Sequence, residues 1–298
     1  MKLSVGPIQY FWDRDTVMQF YASLEQAPVD VVYLGETVCS KRRALNIADW
    51  LEIGVRLADT GKEVVLSTMV LVEAASELSY MRRIVENGRF RVEANDMAAI
   101  NMLAGHAPFV VGPQINTYNG ETLQLFAELG AYRWVPPLEL SHTAIAALQA
   151  RRPPDMQTEI FGYGRLPLAF SARCFTARAH SLPKDSCQFC CQEYPDGLEL
   201  DTREGEQFLV LNGIQVQSGS KVNLMREIPE LRDLNIDVLR LSPQSQNMNS
   251  VITSFRDAID GHIDLNKAAA LDAEESGGAC NGYWHGLPGM DWLAGIEQ

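Results

Sequence analysis

The sequence predicts an α/β fold, a (β/α) TIM-type barrel of parallel strands with an irregular cysteine-bearing excursion near residues 173–200. Three observations predict it. Short apolar runs recur without polar alternation, as strands covered on both faces require. Amphipathic segments lie between them, several ending at Gly, and the next strand starts within about three residues. About six such units precede residue 140, which favours a barrel over the alternative, an open parallel sheet. With 298 residues, the chain suits a single barrel-like domain over 1–298, with a cysteine-bearing insertion at about 173–200.

Each element has its own signal. Lys2–Val5 reads as a first strand, and Asp15–Leu24 carries helical spacing at Val17, Phe20, Tyr21 and Leu24. Asp30–Leu34 is an apolar strand that ends at Gly35. Ala44–Ala58 is an amphipathic helix with Leu45, Ala48, Trp50, Leu51 and Val55 on its apolar face, closed by Thr60-Gly61. Glu63–Met69 is a β-branched run, and Glu73–Glu86 is a helix stopped at Asn87-Gly88. Arg91–Ala94 and Pro108–Val111 are strands around a short helix at Ala98–Ala104. Asn119-Gly120 opens a helix that runs to Leu129-Gly130, and Arg133–Val135 follows as a strand. A helix at Ser141–Gln149 is broken by Arg151-Arg152-Pro153-Pro154. Glu159–Ala172 starts as a strand and continues as irregular chain. Pro183, Pro195 and Gly197 punctuate the cysteine-bearing loop. Strands resume at Phe208–Asn212 and Val238–Leu241, with helices around Val222–Leu231 and Val251–Asp260. From Ser276 the tail is rich in Gly and aromatic residues.

Charge narrows the partners. There are 25 basic and 38 acidic residues, a net charge of −13. Counterion release contributes little on such a surface, so nucleic acid is disfavoured as a partner. No stretch of about 18 apolar residues indicates a membrane span. Met-Lys-Leu-Ser-Val-Gly-Pro at the start reads as a strand and not as a signal peptide. A cytoplasmic, reducing compartment is therefore expected, and free thiols or metal ligands are favoured over disulfides.

The six cysteines are unevenly placed. Cys174, Cys187, Cys190 and Cys191 crowd one polar segment, and Cys39 stands alone far upstream. Thiolates gathered in such a loop suit soft metals, an iron–sulfur cluster or zinc. A zinc site prefers two short knuckles. Cys187 and Cys190 make one, and Cys174 with His180 would have to complete it. A cluster tolerates a remote ligand, because each thiolate binds its own iron. Cys39 follows the second strand, where the C-terminal rim of a barrel gathers residues from separate strands. Two further readings stand beside these. One is a set of buried structural thiols. The other is a Cys187–Cys190 redox pair, which lacks a thioredoxin-like setting.

At Glu159-Ile-Phe161-Gly-Tyr-Gly164-Arg-Leu-Pro167-Leu-Ala-Phe-Ser-Ala172-Arg-Cys174 the chain resembles the collagenase-like peptidase family. That family's signature is Glu-x-Phe-x-x-Gly, then Cys, then Gly-x-Cys. Glu159, Phe161, Gly164 and Cys174 match it. Pro167 stands in place of the first Cys and Ala172 in place of the Gly. Together with the Cys and Cys-x3-Cys that follow, these departures look like the divergent UbiV branch of oxygen-independent ubiquinone biosynthesis. The resemblance implies a barrel fold and a 4Fe–4S cluster on Cys39, Cys174, Cys187 and Cys191, leaving Cys190 and Cys280 over. It also implies a heterodimer with the paralogue UbiU. The pair hydroxylates the aromatic ring of ubiquinone precursors under anaerobic conditions, with prephenate as oxygen source. UbiT, a lipid-binding accessory protein, belongs to the same pathway.

Further residues are candidates for substrate contact. Asn95 follows the fourth strand, Asn116 and Tyr118 the fifth, and Glu139 the sixth, and Glu159 lies within the seventh. All would face the upper rim of a barrel. Arg165 and Arg173 flank the seventh segment, and a guanidinium fork suits a dianionic substrate such as prephenate. Asp96 reads as a helix cap. No nucleophile motif, phosphate loop or zinc-protease helix is present. A peptidase-like hydrolase therefore lacks a visible nucleophile, and a non-catalytic cluster- or zinc-bearing scaffold is the non-enzyme alternative.

Overall fold

The computed structural model describes residues 1–263, 265 and 278–293. Ser276 and Gly277 of the expected aromatic tail lie outside the described residues.

Eight parallel strands close into a barrel in the order β1 (Lys2–Val5), β2 (Val31–Leu34), β3 (Glu63–Ser67), β4 (Arg91–Ala94), β5 (Phe109–Val111), β6 (Ala131–Trp134), β7 (Gln157–Phe170) and β11 (Val238–Leu241). β11 closes the ring by pairing with both β7 and β1 (Val238↔Glu159, Lys2↔Val238). Helices α1 (Arg14–Leu24), α2 (Ile47–Asp59), α3 (Ala75–Val85), α4 (Met97–Leu103), α5 (Gly120–Glu128) and α6 (His142–Gln149) connect the first seven strands. This is the expected (β/α) barrel, and its strands are buried almost throughout.

Local chemistry starts the helices. Asp13 accepts the Thr16 amide at 2.8 Å, Asn119 that of Thr122 at 2.8 Å, and Asp96 that of Ala98 at 2.7 Å. Asn46 and Asp49 form a reciprocal capping box, so α2 begins at Ile47 and not at Ala44. Caps of this kind each contribute about 1 kcal/mol. α2 then buries Trp50, Ile53 and Leu57 at one-face spacing.

The barrel interior is charged. Glu159 accepts from Ser4 Oγ at 2.6 Å, from Arg240 Nε at 2.8 Å and from the Tyr33 hydroxyl. Arg240 also pairs with Glu93 at 2.7 Å, and Arg133 Nη1 lies 3.6 Å from Glu159. Glu159 was expected at the upper rim. It is only the third residue of β7 and sits opposite Val238, so it points into the barrel's middle.

β7 runs past the barrel. Its second half pairs antiparallel with β10 (Gln215–Asn223), followed by β9 (Gln207–Asn212) and β8 (Leu198–Asp201). β12 (Ala279–Cys280) pairs with β10. Two expectations change here. Continuous strand replaces irregular chain through Phe170. Val222 lies in β10, and α8 begins only at Ile228 (Ile228–Asp233). The reason is their mutual pairing, Val216 with Ala169 and Val222 with Gly164, while bare Gly219 lets Phe208 approach so closely that a Cβ would lie 2.8 Å from its carbonyl carbon. The last helix, α9, spans Met248–Asp260. The excursion is also more ordered than a loop, with α7 (Phe175–Ala179) and two 3-10 turns at Lys184–Ser186 and Cys190–Glu193.

Candidate metal centre

Cys39 sits on the loop after β2. Gly35 ends that strand at φ +130, and a Cβ there would lie 2.6 Å from the Ser67 carbonyl oxygen. The Glu36 carboxylate then accepts the amides of Val38 (2.8 Å) and Cys39 (3.0 Å), folding a tight turn. Arg42 fixes the turn from the other side. Its Nη1 donates to the Gln9 carbonyl at 2.7 Å and its Nη2 to Asn212 Oδ1 at 2.7 Å, joining the loops after β1 and β2 to the β9–β10 hairpin.

The mid-chain cysteines hang from that hairpin. Cys174 caps α7, its Sγ accepting the Ala177 amide at 3.4 Å. The Phe175 amide donates to the Gly213 carbonyl at 2.7 Å, and Thr176 Oγ1 accepts the Gly213 amide at 2.9 Å. Gln188 and Phe189 both take left-handed backbone (φ +52 and +54), which turns the chain between Cys187 and Cys190. The Cys190 amide closes that turn on the Cys187 carbonyl at 3.2 Å. Two lysines clamp the segment to the barrel top. Lys41 Nζ reaches the Lys184 carbonyl at 2.8 Å, and Lys184 Nζ reaches Glu73 and the Ala172 carbonyl (2.7 Å).

Cys39, Cys190 and Cys191 are held protonated chiefly by burial. Burial pushes the Cys39 thiol up; the Arg42 charge opposes this, and Glu36 and Cys174 add to it. Burial pushes Cys191 up to about 11; Arg42 opposes by charge and hydrogen bond, and Cys174 and Cys39 add. Burial raises Cys190 too, with Cys174 and Cys187 contributing. Arg42 thus acts on both Cys39 and Cys191, and Cys174 acts on each of them. Among the described residues, no three His, Cys, Asp or Glu side chains close on a point as the ligands of one metal ion do. A cluster asks for a different arrangement, one thiolate per iron around a larger body. All six cysteines are free thiols, and Cys280 is buried in β12, away from this group.

The other expected site residues are placed as follows. Asn95 is buried; its Nδ2 donates to the Thr68 carbonyl (3.0 Å) and Glu93 (3.3 Å), and its side chain lies over Gly112. It joins strand ends. Asn116 is exposed. Tyr118 is half exposed, and its hydroxyl donates to Glu139, whose hydrogen bond pushes the phenol up to about 12. Arg165 is buried against the Ser218 (3.3 Å) and Gly219 carbonyls, and Glu199 lies 3.3 Å away. Arg173 is exposed, and its amide donates to Ser171 Oγ at 3.1 Å. Arg42 was missed from sequence. Its one signal was position, next to a rim cysteine.

Residues 16–292 match the model described as peptidase family U32. The tRNA hydroxylation protein P1 of Bacillus subtilis (strain 168) is 23% identical over 189 residues, covering 58% of this chain and 44% of the relative. The tRNA hydroxylation protein P of Escherichia coli (strain K12) is 28% identical over 154 residues, covering 49% and 34%. The chain thus spans less than half the length of these curated relatives. Among solved structures, a U32 peptidase aligns with TM-score 0.46 at 13% identity, covering 82% of this chain and 93% of that one. With the family model covering nearly its whole length, the chain belongs to peptidase family U32.

Proposed function

We propose that this chain is the iron–sulfur subunit of an oxygen-independent hydroxylase acting on the aromatic ring of ubiquinone precursors, paired with a UbiU-like paralogue. One observation supports the reading: Arg42 ties the turn of Cys39, remote in sequence, to Asn212 of the same β9–β10 hairpin that holds the start of the Cys174 segment through Gly213. Cys39, Cys174, Cys187 and Cys191 would hold a 4Fe–4S cluster, which supplies electron transfer or activation of the oxygen donor when bound. The chain's own residues prepare the place. Arg42 puts a fixed positive charge beside thiols that must ionise to ligate. The clamps of Lys41 and Lys184 hold the loop over the rim. The names of the relatives support hydroxylation as the reaction class.

Those names also favour a second reading, hydroxylation of tRNA. The net charge of −13 weighs against it. Anaerobic co-expression with candidate paralogues, followed by iron and sulfide counts and mass spectrometry of quinones and tRNA nucleosides, separates the two. Unhydroxylated quinone precursors accumulating in a deletion strain support the first reading; a lost tRNA modification with normal quinones rejects it.

A further inference from the structure

We propose that the cleft between the β2–α2 loop and α3 binds a small anion with an apolar or ring-shaped body, held by Arg43 and Arg83. The inference rests on the proposed function only in identifying that molecule as a substrate.

The cleft encloses about 550 Å³, within the range of small-molecule sites. It opens at the C-terminal end of β2 and β3, one residue from Cys39 at Ser40, on the face where barrels of this kind place their chemistry. Leu45, Ile47, Met69 and Tyr80 give it an apolar wall. Arg43 and Arg83 stand exposed at its edge. Neither has a carboxylate within 4.0 Å among the described residues. The Arg83 guanidinium lies 5.4 Å over the Tyr80 ring, which holds it beside the wall. Arg42 forms the floor, buried, its Nε without a hydrogen-bond partner among the described residues.

Two helix N-termini also line the cleft, α2 through Ile47 and Ala48 and α3 through Ser76. Ala74 at the head of α3 has no side chain to cap the first amides, and a bound anion is favoured there. The two carboxylates that line it are already engaged by backbone amides. Glu36 accepts those of Val38 and Cys39 at 2.8 and 3.0 Å. Glu77 accepts those of Glu73 and Ala74 at 2.6 and 3.1 Å. On a chain of net charge −13, this cleft is a local concentration of positive charge beside an apolar surface. That pairing selects a carboxylate on a hydrophobic frame. None of Asn95, Asn116, Tyr118 and Arg173 lines it.

The test is calorimetric titration of the anaerobically purified full chain with phenylpyruvate, and with phenylacetone as its uncharged counterpart. Phenylpyruvate is expected to saturate the wild type and bind the Arg43→Gln/Arg83→Gln double variant about tenfold or more weakly. An Arg89→Gln variant, in the bend after α3 and outside the cleft lining, should retain wild-type binding. Equal phenylpyruvate affinity in wild type and double variant, or no preference over phenylacetone, would overturn the inference. Iron and sulfide counts on the same samples separate it from the cluster assignment. Intact binding without iron supports the cleft and counts against the cluster.

Discussion

Arg240 Nε donates to Glu159 Oε1 at 2.8 Å inside the barrel, while its Nη1 reaches Glu93 at 2.7 Å. Burial opposes the charge on Glu159, but Arg240 and Arg133 overcome it and hold the carboxyl below its ordinary range. Glu159→Ala removes one partner and leaves two buried guanidinium groups undercompensated. The expected loss is about 3–5 kcal/mol. Urea unfolding curves with unchanged slope and a lowered midpoint would show it; an unaltered midpoint would refute the network's role.

Cys39→Ala is expected to abolish the cluster, and Cys280→Ala to keep it. Iron and sulfide per chain, with absorbance near about 400 nm, read both outcomes. Full iron content in Cys39→Ala would reject the remote ligand. Cys190→Ala tests the choice between adjacent thiols, and its expected iron content is that of the wild type.

Gly35→Ala should act on the same loop through backbone alone. At φ +130, with Ser67 O at 2.6 Å from the new Cβ, the turn carrying Glu36 and Cys39 must shift. Strain of this kind costs about 1–3 kcal/mol. A lowered melting temperature together with reduced iron loading is expected, measured by calorimetry and iron assay on one preparation.

Acid sensitivity should depend on Arg14. Its guanidinium grips Asp49 through two hydrogen bonds, at 2.7 and 2.6 Å, and brings that carboxyl down to about 2. A depressed carboxylate stabilises the fold fully above its unfolded value near 4 and loses that contribution as pH falls through 2. Arg14→Gln should therefore narrow the stability gap to wild type as pH drops from 5 toward 2. A gap independent of pH would show that packing, not charge, is what Arg14 provides.

The barrel was legible because its strands are covered on both sides. Lys2–Val5, Arg91–Ala94 and Val238–Leu241 stand where the apolar runs put them. The antiparallel flank was not legible. β10 contains Gln215, Gln217, Ser218 and Gly219, all buried, so neither alternation nor an apolar run marks it. Gln215 finds its partner far away in sequence, at Gln9 (2.6 Å). The charged lumen escaped notice for the same reason. Glu159 reads as a rim residue, and nothing in the sequence joins it to Arg133 and Arg240 until the strands close around them. The cysteine segment was visible by composition, while the cleft beside it joins three Arg residues from a loop and a helix that no spacing connects.

β7 begins beside Glu159 in the lumen and ends four residues before Cys174. A single extended strand therefore serves as a beam between the charged centre and the thiol-bearing cap. The same beam is the seam between barrel and flank, pairing with β6 and β11 at one end and with β10 at the other. Hydrogen exchange along Gln157–Phe170 should slow as one cooperative unit, and protection lost at either end should spread to the other.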